Sequence, residues 1–375
     1  MNSILKEISR MRKDAPFVID YKNKNRYRIV AIESNGTKTA YYFSTPIYNN
    51  RSRKALDIKF HTKEKTIYTT GSNANITITG DIRMENAEGA CILSLANQPS
   101  LISEHEVLCG NTRIYPTTNG IAIKSACQDN KPFTFAIESS RPFLEVRANN
   151  KYFALMSERF KPFFAVSCIG TTDDGSNIIS PAKLIYEKIT DRKYTISVLP
   201  CSSLGRSILF EANLYEPKLF QDTTVESNNP NSNNAFGGVG FIGTTKELGE
   251  QWLYSRLDFQ KMPELNDKKI TRVILHLPKL NSNPIELSVS NVMSRFCSFG
   301  STWNNKVSER LPISDSQIID RYVDIDITGK LSDKYGRLYK NEGFIIKPKR
   351  KSSGFSAIAT ADNYLFPQIL EINYQ

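Results

Sequence analysis

Residues 113–124 have the sequence RIYPTTNGIAIK, a pattern that predicts a β-hairpin. On both sides of Asn119 and Gly120, apolar residues alternate with polar ones, as in strands that have one buried face. Asn-Gly is a favoured turn because both residues tolerate the positive φ angles that a tight hairpin requires. We therefore expect two antiparallel strands here, joined at Asn119-Gly120.

Short alternating segments of this kind, separated by turn residues, recur from residue 17 to residue 212. Examples are 27–32, 76–79, 163–169, 184–189 and 194–198. Residues 191–193 would join the last two segments in a second hairpin, and the sequence DDG at 173–175 predicts a turn after 163–169. Many short strands at this spacing predict a sandwich or a barrel.

Length and composition predict an all-β protein of two domains. The chain has 375 residues with 40% hydrophobic content, 17 tyrosines and 20 phenylalanines. It lacks the long Ala/Leu/Glu/Lys-rich stretches that helices prefer, and its length suffices for two cores. We predict a β-rich N-terminal region over residues 1–215 and a second β-sandwich-like domain over residues 216–375.

Residues 2–13 form the one helix that the pattern near the start predicts. Ile4, Leu5, Ile8 and Met11 recur at the spacing of a single apolar face. A narrow apolar stripe on a short helix needs a partner surface. Two alternatives remain open: the helix docks on its own domain, or it anchors the chain in an assembly.

Residues 226–243 differ in composition from the rest of the chain. Five asparagines lie between residues 228 and 234, and glycines follow at 237, 238 and 240. A stretch of this composition has little apolar surface to bury. We predict a long loop or an exposed arm just inside the second domain.

Six short motifs follow in order in the second domain. They are YSRLDF at 254–259, ITRVILHL at 270–277, TWNN at 302–305, VDIDIT at 323–328, NEGF at 341–344 and FPQILEI at 366–372. The ordered set resembles the DNRLRE family, whose domains are jelly-roll β-sandwiches similar to carbohydrate-binding modules. The resemblance covers about two-fifths of the chain.

The motif residues that the resemblance carries over are spread across the second domain. They are Arg256, Asp258, Phe259, Trp303, Asn304, Asn305, Asp326, Thr328, Asn341, Gly343 and Pro367. Two positions depart from the family pattern: Phe296 stands in place of a tryptophan before TWNN, and Lys306-Val307 stands in place of a proline after it. These departures concern the local shape of a loop rather than the fold.

The TWNN residues suit a structural role better than a binding role. Trp303 can bury its ring while its indole N–H finds a carbonyl. Asn304 and Asn305 can hold the turn through side-chain bonds to the backbone. We expect a structural turn here, and the sequence identifies no ligand-binding residue.

The paired polar residues of the other motifs also suit a structural role. Arg256 and Asp258 lie two apart on one predicted strand, so they face the same side and could form an ion pair. Asp326 and Thr328 repeat that spacing. We expect all four to support the scaffold.

No residue pattern typical of catalysis is present in the sequence. The histidines, His61, His105 and His276, do not form a triad motif with a serine or a cysteine. His276 interrupts an apolar strand, where an imidazole satisfied by neighbouring groups is expected. The glycines at 237–240 lack the Lys-Ser/Thr of a phosphate-binding loop. We expect a non-enzymatic protein without catalytic residues.

The cysteines predict neither a metal site nor a disulfide framework. They lie at 91, 109, 127, 168, 201 and 297, without a CxxC pair. Cys91 and Cys168 lie in apolar runs, where a reduced cysteine behaves as a small hydrophobic residue. We expect free thiols and no cofactor, with a structural calcium ion left open because no ligand set can be assigned.

The formal net charge of +11 favours polyanionic surroundings. The densest basic clusters are RSRK at 51–54 and KPKRK at 347–351. Nucleic acid, an anionic cell-wall polymer and a solvated loop face all remain open, although no signature of specific nucleic-acid binding accompanies the charge. The first twenty residues lack the apolar run of a signal peptide. The sequence also contains no run of eighteen apolar residues, so no membrane-spanning helix is predicted.

The whole chain also resembles prophage-encoded proteins of Clostridium-like bacteria, in which a DNRLRE domain follows an unrelated β-rich region. This resemblance implies a structural or host-attachment protein of a virion, a phage tail or a tail-like contractile particle. Such a protein is made in the cytoplasm without a signal peptide, is released by lysis and acts outside the cell.

The same resemblance implies the partners and leaves two alternatives. The partners would be other particle proteins, further copies of the chain, and an anionic cell-wall polysaccharide. The first alternative is a free or surface-displayed glycan-binding protein. The second, which the sequence supports less, is an enzyme that acts on polysaccharide.

Overall fold

The structure is a computed structural model of the chain. The described residues are 2–48, 56–95, 97–126, 131–158, 161–171, 179–200, 207–216, 218–258, 261–262, 265–266, 268–328, 343–350 and 354–375. The predicted turn at 173–175, the basic cluster at 51–54, and the motif residues Phe259 and Asn341 lie outside them.

The protein is all-β, as predicted, with one short N-terminal helix and two large antiparallel sheets. The helix and the first strands are α1 (Asn2–Met11), β1 (Val18–Ile19), β2 (Arg28–Ile32) and β3 (Lys38–Phe43), with a short 3-10 turn at Tyr21–Asn23. The next strands are β4 (Lys59–Lys63), β5 (Thr66–Thr70), β6 (Asn75–Ile78), β7 (Asp81–Asn86), β8 (Gly89–Ser94), β9 (Pro99–Ser103), β10 (Glu106–Cys109) and β11 (Thr112–Pro116).

The middle and last parts of the chain continue this arrangement of short strands. They form β12 (Gly120–Ala126), β13 (Phe133–Ser139), β14 (Glu145–Ala148), β15 (Tyr152–Glu158), β16 (Lys161–Thr171), β17 (Ile179–Lys188), β18 (Lys193–Pro200) and β19 (Ser207–Leu214). The remaining strands are β20 (Phe220–Glu226), β21 (Val239–Thr245), β22 (Gly249–Leu257), β23 (Ile270–Pro278), β24 (Leu287–Val292), β25 (Glu309–Ile319), β26 (Tyr322–Asp326), β27 (Phe344–Pro348), β28 (Phe355–Ala359) and β29 (Ile369–Tyr374).

Strands β4 to β19 form one sheet, which we call the first domain. Its order is β4-β5-β6-β7-β8-β13-β18-β17-β16-β19-β12-β11-β10-β9, and β15 also pairs with β16. Strand β17 pairs with β16 at one end and with β18 along the rest, so it joins two halves of the sheet. Apolar residues from both halves meet in one large core.

Alternation explains why these residues form strands around that core. In β7, Ile82 and Met84 are buried, whereas the alternate residues Asp81 and Arg83 are exposed. Successive side chains of a strand point to opposite faces, so this pattern places one face on the core and the other in solvent.

Strands β1 to β3 and β20 to β29 form the other sheet, which together with α1 makes up the second domain. Its order is β1-β2-β3-β29-β23-β26-β25-β24-β27-β22-β21-β28, and β20 pairs with β22. The long strand β25 pairs with β24 at one end and with β26 at the other, so it joins two halves. A core cluster draws residues from both halves.

The second domain contains both ends of the chain. Strand β3 pairs with the last strand, β29, from Lys38 opposite Tyr374 to Phe43 opposite Ile369. The sequence-based division between residues 215 and 216 assigned β1 to β3 to the first region, whereas the pairing joins them to the second domain. The reason is physical: β29 would otherwise have an unpaired edge, which β3 covers.

Helix α1 docks on its own chain, which is the first of the two alternatives left open by the sequence. Ile8 is fully buried against strands β2 and β3 in a small apolar cluster. The helix ends at Met11, two residues earlier than predicted, because Lys13 and Asp14 adopt positive φ angles. Arg12, just past the helix, pairs with Glu33 at 3.0 Å.

Both predicted hairpins are confirmed, although the reason given for the first was wrong. Strands β11 and β12 pair across residues 117–119, and β17 and β18 pair across residues 189–192. Gly120 does not adopt a positive φ angle. A glycine is needed because a Cβ there would lie 2.1 Å from the Ala212 carbonyl oxygen of the neighbouring strand β19.

The two domains meet along a seam, which we define as the contact between β15, β16 and β19 of the first domain and β20, β21 and residues 227–238 of the second. Phe236 is 1% exposed and fills the centre of it. Its ring lies 5.3 Å from that of Tyr152, 6.0 Å from that of Tyr215 and 5.4 Å from that of Phe299. The seam therefore has an aromatic centre.

The asparagine- and glycine-rich stretch is a loop over residues 227–238, shorter than the predicted 226–243 because β21 begins at Val239, and it is not an exposed arm. Ala235 and Phe236 are buried within it. The Asn234 side chain donates a hydrogen bond to the Thr224 carbonyl oxygen at 2.9 Å, and Asn149 of the first domain donates to the Asn233 carbonyl oxygen at 2.8 Å. Because these amides satisfy backbone groups, the loop can bury an apolar pair despite its polar composition.

Charged groups are also buried in the seam. Lys151 of the first domain pairs with Glu226 of β20, and the two side chains are 7% and 0% exposed. Glu211 of β19 accepts a hydrogen bond from the Tyr364 backbone N–H at 2.8 Å, and burial raises the pKa of its carboxyl group to about 7. Burial and the neighbouring Asp362 raise the pKa of Asp222 to about 7 as well.

Two further features concern the cysteines and the helices. Cys91, Cys109, Cys168 and Cys297, the cysteines within the described residues, form no disulfide bond with one another, and all but Cys297 are buried. None of the helices in the described part of the chain is long and apolar enough to cross a membrane.

Candidate functional site

The two tryptophans of the chain meet at the surface of the second domain. Trp252 lies on β22, and Trp303 lies in the turn at residues 303–305. Their ring centroids are 5.0 Å apart, with an angle of 53° between the ring planes. Both tryptophans pack against a buried apolar cluster but are themselves only partly buried, so together they form an aromatic surface that solvent or a ligand can reach.

Two lysines flank the paired tryptophan rings. Lys306 Nζ lies 4.0 Å from the centroid of Trp303 and 5.4 Å from that of Trp252. Lys347 Nζ lies 5.7 Å from the centroid of Trp252 and also pairs with Glu309. All three distances fall in the range of cation–π contacts, which favour a positive charge over an aromatic face.

Hydrogen bonds fix these groups in place. Trp252 Nε1 donates to Glu250 Oε1 at 2.8 Å, and Lys306 Nζ donates to the Trp303 carbonyl oxygen at 2.9 Å. Burial lowers the pKa of Lys306, and the charge of Glu250 opposes that effect. We call Glu250, Trp252, Trp303, Lys306 and Lys347 the tryptophan patch.

Strand register explains how β22 contributes to the patch. Gln251 and Leu253 are buried on one face of β22, whereas Glu250 and Trp252 are only partly buried. Strand β27 pairs with β22 so that Leu253 lies opposite Ile346. Lys347, the next residue of β27, is thereby brought beside Trp252.

The TWNN turn holds the other half of the patch. The Thr302 backbone N–H donates to Asn305 Oδ1 at 2.7 Å, and Asn305 Nδ2 donates to the Gly300 carbonyl oxygen at 3.0 Å. These bonds confirm that Asn305 holds the turn through the backbone. The ring of Trp303, which was expected to be buried, is instead partly exposed against Trp252.

Asn304 links the same turn to the asparagine-rich loop. Its backbone N–H donates to the Pro230 carbonyl oxygen at 3.0 Å, and its side-chain amide donates to Asn231 Oδ1 at 2.8 Å. The loop that packs in the seam therefore also supports the turn that carries Trp303.

The expected ion pair between Arg256 and Asp258 is not among the ion pairs of the described residues. Arg256 instead donates to Gln221 Oε1 on the neighbouring strand β20, and Asp258 lies 3.7 Å from Lys261 Nζ. Strand β22 ends at Leu257, so Asp258 is no longer on the strand and does not share the face of Arg256.

Asp326 and Thr328 support the end of β26 rather than the patch. The Thr328 backbone N–H donates to Asp326 Oδ1 at 2.9 Å, and its hydroxyl also donates there at 2.5 Å. The Val273 backbone N–H donates to Thr328 Oγ1 at 2.9 Å. These bonds tie β26 to β23 and have a structural role.

Gly343 and Pro367 complete the motif residues that can be described. Gly343 has a φ of +120°, and a Cβ there would lie 2.8 Å from Phe296 Cε1 and 2.9 Å from the Ser255 carbonyl oxygen. Glycine is needed there for both reasons. Phe296 is buried and packs edge-on against Tyr254, next to the patch, whereas Pro367 precedes β29 in the other half of the sheet.

The structure thus brings Trp303, Asn304 and Asn305 together in one site and leaves the other described motif residues in scaffold positions. Sequence reasoning missed Glu250, Trp252, Lys306 and Lys347, because their proximity depends on the pairing of β22 with β27. One signal was present in the sequence: Trp252 is the only other tryptophan of the chain.

Other kinds of site have less support from the geometry. Within the described ranges, no group of three His, Cys, Asp or Glu side chains is placed to hold a metal ion. In the basic run at 347–350, Lys347 and Lys349 pair with acidic residues, among them Asp315 at 2.9 Å from Lys349. No protein-family model and no curated protein sequence matches this chain.

Proposed function

We propose that this chain is a non-enzymatic structural or host-attachment protein of a phage tail or a tail-like contractile particle. In this proposal its second domain contacts a cell-surface glycan through the tryptophan patch. The observation that carries the proposal is the meeting of Trp252 and Trp303, 5.0 Å apart and partly exposed, on the surface of an all-β domain.

The chemistry of the patch suits an anionic polysaccharide. Tryptophan rings offer a large apolar face to the C–H groups of a sugar ring, and the bond from the Trp252 indole N–H to Glu250 holds that ring in place. Lys306 places positive charge beside that face, whereas the charge of Lys347 is already paired with Glu309. Because burial lowers the pKa of Lys306, a negatively charged ligand group would stabilise its ammonium form.

The seam supports the structural part of the proposal. The same loop touches the first domain through Asn149 and supports the turn of Trp303 through Asn231. The tryptophan patch is thereby held at a fixed position relative to the first domain. An attachment protein needs such a fixed position if one domain joins the particle while the other contacts the cell.

Glycan contact can be tested by co-sedimentation of the full chain with purified cell walls of Gram-positive bacteria. The variants Trp252→Ala and Trp303→Ala should each bind about tenfold more weakly, which is about 1.4 kcal/mol of binding free energy. Trp303→Phe should retain most of the binding because it keeps an aromatic face. Phe366→Ala is the matched control, since Phe366 is also exposed but lies away from the patch. Unchanged binding by both alanine variants would exclude the patch as the contact.

The particle assignment needs a separate experiment. A mass-spectrometric inventory of induced, purified particles from the native strain should contain this chain at a stoichiometric level. Recovery only as a free monomer in the soluble fraction would contradict the assignment and favour the free glycan-binding alternative. Release of reducing sugars from cell walls by the purified chain would contradict the non-enzymatic assignment.

A further inference from the structure

A second surface of the second domain has the properties of a ligand site. A cavity of about 490 Å³ lies between the end of α1 and the outer face of strands β3, β29, β23 and β26. We call it the helix cleft. Its volume falls in the range of small-ligand sites. Polar side chains dominate its lining, among them Arg12, Arg272, His276, Asp324, Glu371 and Asn373.

Strand register places polar side chains in a row along the helix cleft. Gln317 of β25 lies opposite Asp324 of β26, and Asp324 lies opposite His276 of β23. His276 Nδ1 lies 2.7 Å from Asp324 Oδ1, which confirms that the imidazole has a hydrogen-bonding partner. The outer face of this half-sheet is therefore polar where the cleft opens.

The charges that line the helix cleft are paired with each other. Arg272 lies 3.6 Å from Glu371, and His276 contacts Asp324. Burial lowers the pKa of His276, but Asp324 and Glu371 outweigh that effect and raise it above its ordinary value. The arginines and lysine that line the cleft are matched in number by its carboxylates, Glu33, Asp320, Asp324 and Glu371, so the cleft offers little excess charge to attract an ionic ligand.

Three buried atoms of the lining side chains have no hydrogen-bond partner among the described residues. They are Arg12 Nε, His276 Nε2 and Asn373 Oδ1. The side chains of Arg12 and His276 are only 8% and 7% exposed. His276 Nε2 lies 3.5 Å from Glu371 Oε2, too far for a good hydrogen bond. Buried polar atoms without partners are costly, so a ligand that supplies partners gains affinity.

We propose that the helix cleft binds a neutral sugar unit through its hydroxyl groups. Each sugar hydroxyl both donates and accepts, so separate hydroxyls around one sugar unit can accept from Arg12 Nε and His276 Nε2 and donate to Asn373 Oδ1. An anionic ligand would satisfy the two donors but would face the carboxylates of Asp324 and Glu371. The inference rests on the proposed function in one respect: it adds a second subsite, of different chemistry, to a glycan-contacting chain.

Free monosaccharides test the helix cleft separately from the tryptophan patch. The full chain is titrated with glucose, galactose and N-acetylglucosamine, and binding is followed by saturation-transfer NMR. At least one of these neutral sugars should bind. Asn373→Ala should weaken that binding about fivefold, the effect of one lost hydrogen bond. Thermal unfolding of each variant checks that it remains folded.

The double variant Trp252→Ala/Trp303→Ala is the matched control and should bind the same monosaccharide as tightly as the unmodified chain. Loss of monosaccharide binding in this variant would place the sugar at the tryptophan patch and overturn the inference. The absence of binding by all three sugars, or tighter binding of glucuronate or inorganic phosphate, would overturn it as well. None of these results depends on whether the chain sediments with cell walls, so the two proposals can fail separately.

Discussion

The core of the first domain and the seam between the domains are both buried, but different forces hold them together. The core cluster is built mainly from aliphatic and aromatic side chains, with Phe210 stacked on Phe135 at 4.7 Å. The seam buries the Lys151–Glu226 ion pair and the carboxyl group of Glu211 beside its aromatic centre. Burial alone stabilises the core, whereas each polar group in the seam also needs its partner. The first domain should therefore tolerate changes of pH and charge that weaken the seam.

The largest expected effect comes from removing an aromatic ring from the core. Phe210→Ala should lower the free energy of unfolding by about 3 to 5 kcal/mol, because it removes buried apolar surface and leaves a cavity. Urea denaturation measures the loss. Phe366→Ala, at a side chain that is 45% exposed, should change the free energy by less than about 0.5 kcal/mol. A loss below about 1 kcal/mol for Phe210→Ala would mean that the core does not depend on apolar packing.

The seam should respond to the loss of one charge almost as strongly. Lys151→Met leaves the fully buried carboxylate of Glu226 without its cation and should cost about 3 kcal/mol. The double variant Lys151→Met/Glu226→Gln should recover most of this loss, since the remaining glutamine can still accept from Gln251 Nε2, which lies 3.2 Å from Glu226 Oε2. If the double variant is less stable than the single one, the cost comes from packing rather than from the unpaired charge.

The difference between core and seam also explains what the sequence could predict. The all-β class and both hairpins follow from local alternation, which one face of a strand needs for burial. In β7 the buried Ile82 and Met84 alternate with the exposed Asp81 and Arg83, as a period of two requires. The structural role of Asn305 was likewise local, because its partners Thr302 and Gly300 lie within five residues.

Pairings between distant parts of the chain could not be predicted in the same way. Nothing in the alternation of β3 indicates that it pairs with β29 at the other end of the chain. The burial of Phe236 depends on rings from both domains, and that of Glu226 depends on Lys151 of the first domain. The TWNN turn could be predicted because its bonds are local, whereas the tryptophan patch could not, because the approach of Trp252 depends on sheet register.

Raising the pH should weaken the seam and leave the core unaffected. The pKa values of Glu211 and Asp222 are about 7 in the folded chain, above their ordinary values of 4.5 and 3.8. Between about pH 5 and pH 7 the folded chain therefore holds protons that the unfolded chain has released, and this stabilisation is lost as the pH rises through 7. The free energy of unfolding should fall by about 3 kcal/mol from pH 6 to pH 8, with about half of the loss from each group.

Urea denaturation across that pH range measures the effect, and two variants identify its source. Glu211→Gln and Asp222→Asn keep the hydrogen-bond acceptors but cannot ionise, so together they should flatten most of the profile. His276, whose pKa is also raised, acts in the same direction and should account for what remains. A profile that is equally steep in the double variant would show that the seam carboxyl groups do not titrate in this range.

The smallest expected effect concerns a neutral contact of the seam, the Asn149 amide. Its nitrogen donates to Asn234 Oδ1 at 2.7 Å and to the Asn233 carbonyl oxygen at 2.8 Å, across the boundary between the domains. Asn149→Ala should cost about 1 kcal/mol, since a neutral hydrogen bond contributes less than a buried ion pair. Asn304→Ala, which removes one exposed contact within the second domain, should cost about half as much. If Asn149→Ala instead costs as much as Lys151→Met, neutral hydrogen bonds rather than charge pairs would hold the seam, and its expected pH dependence would lose its physical basis.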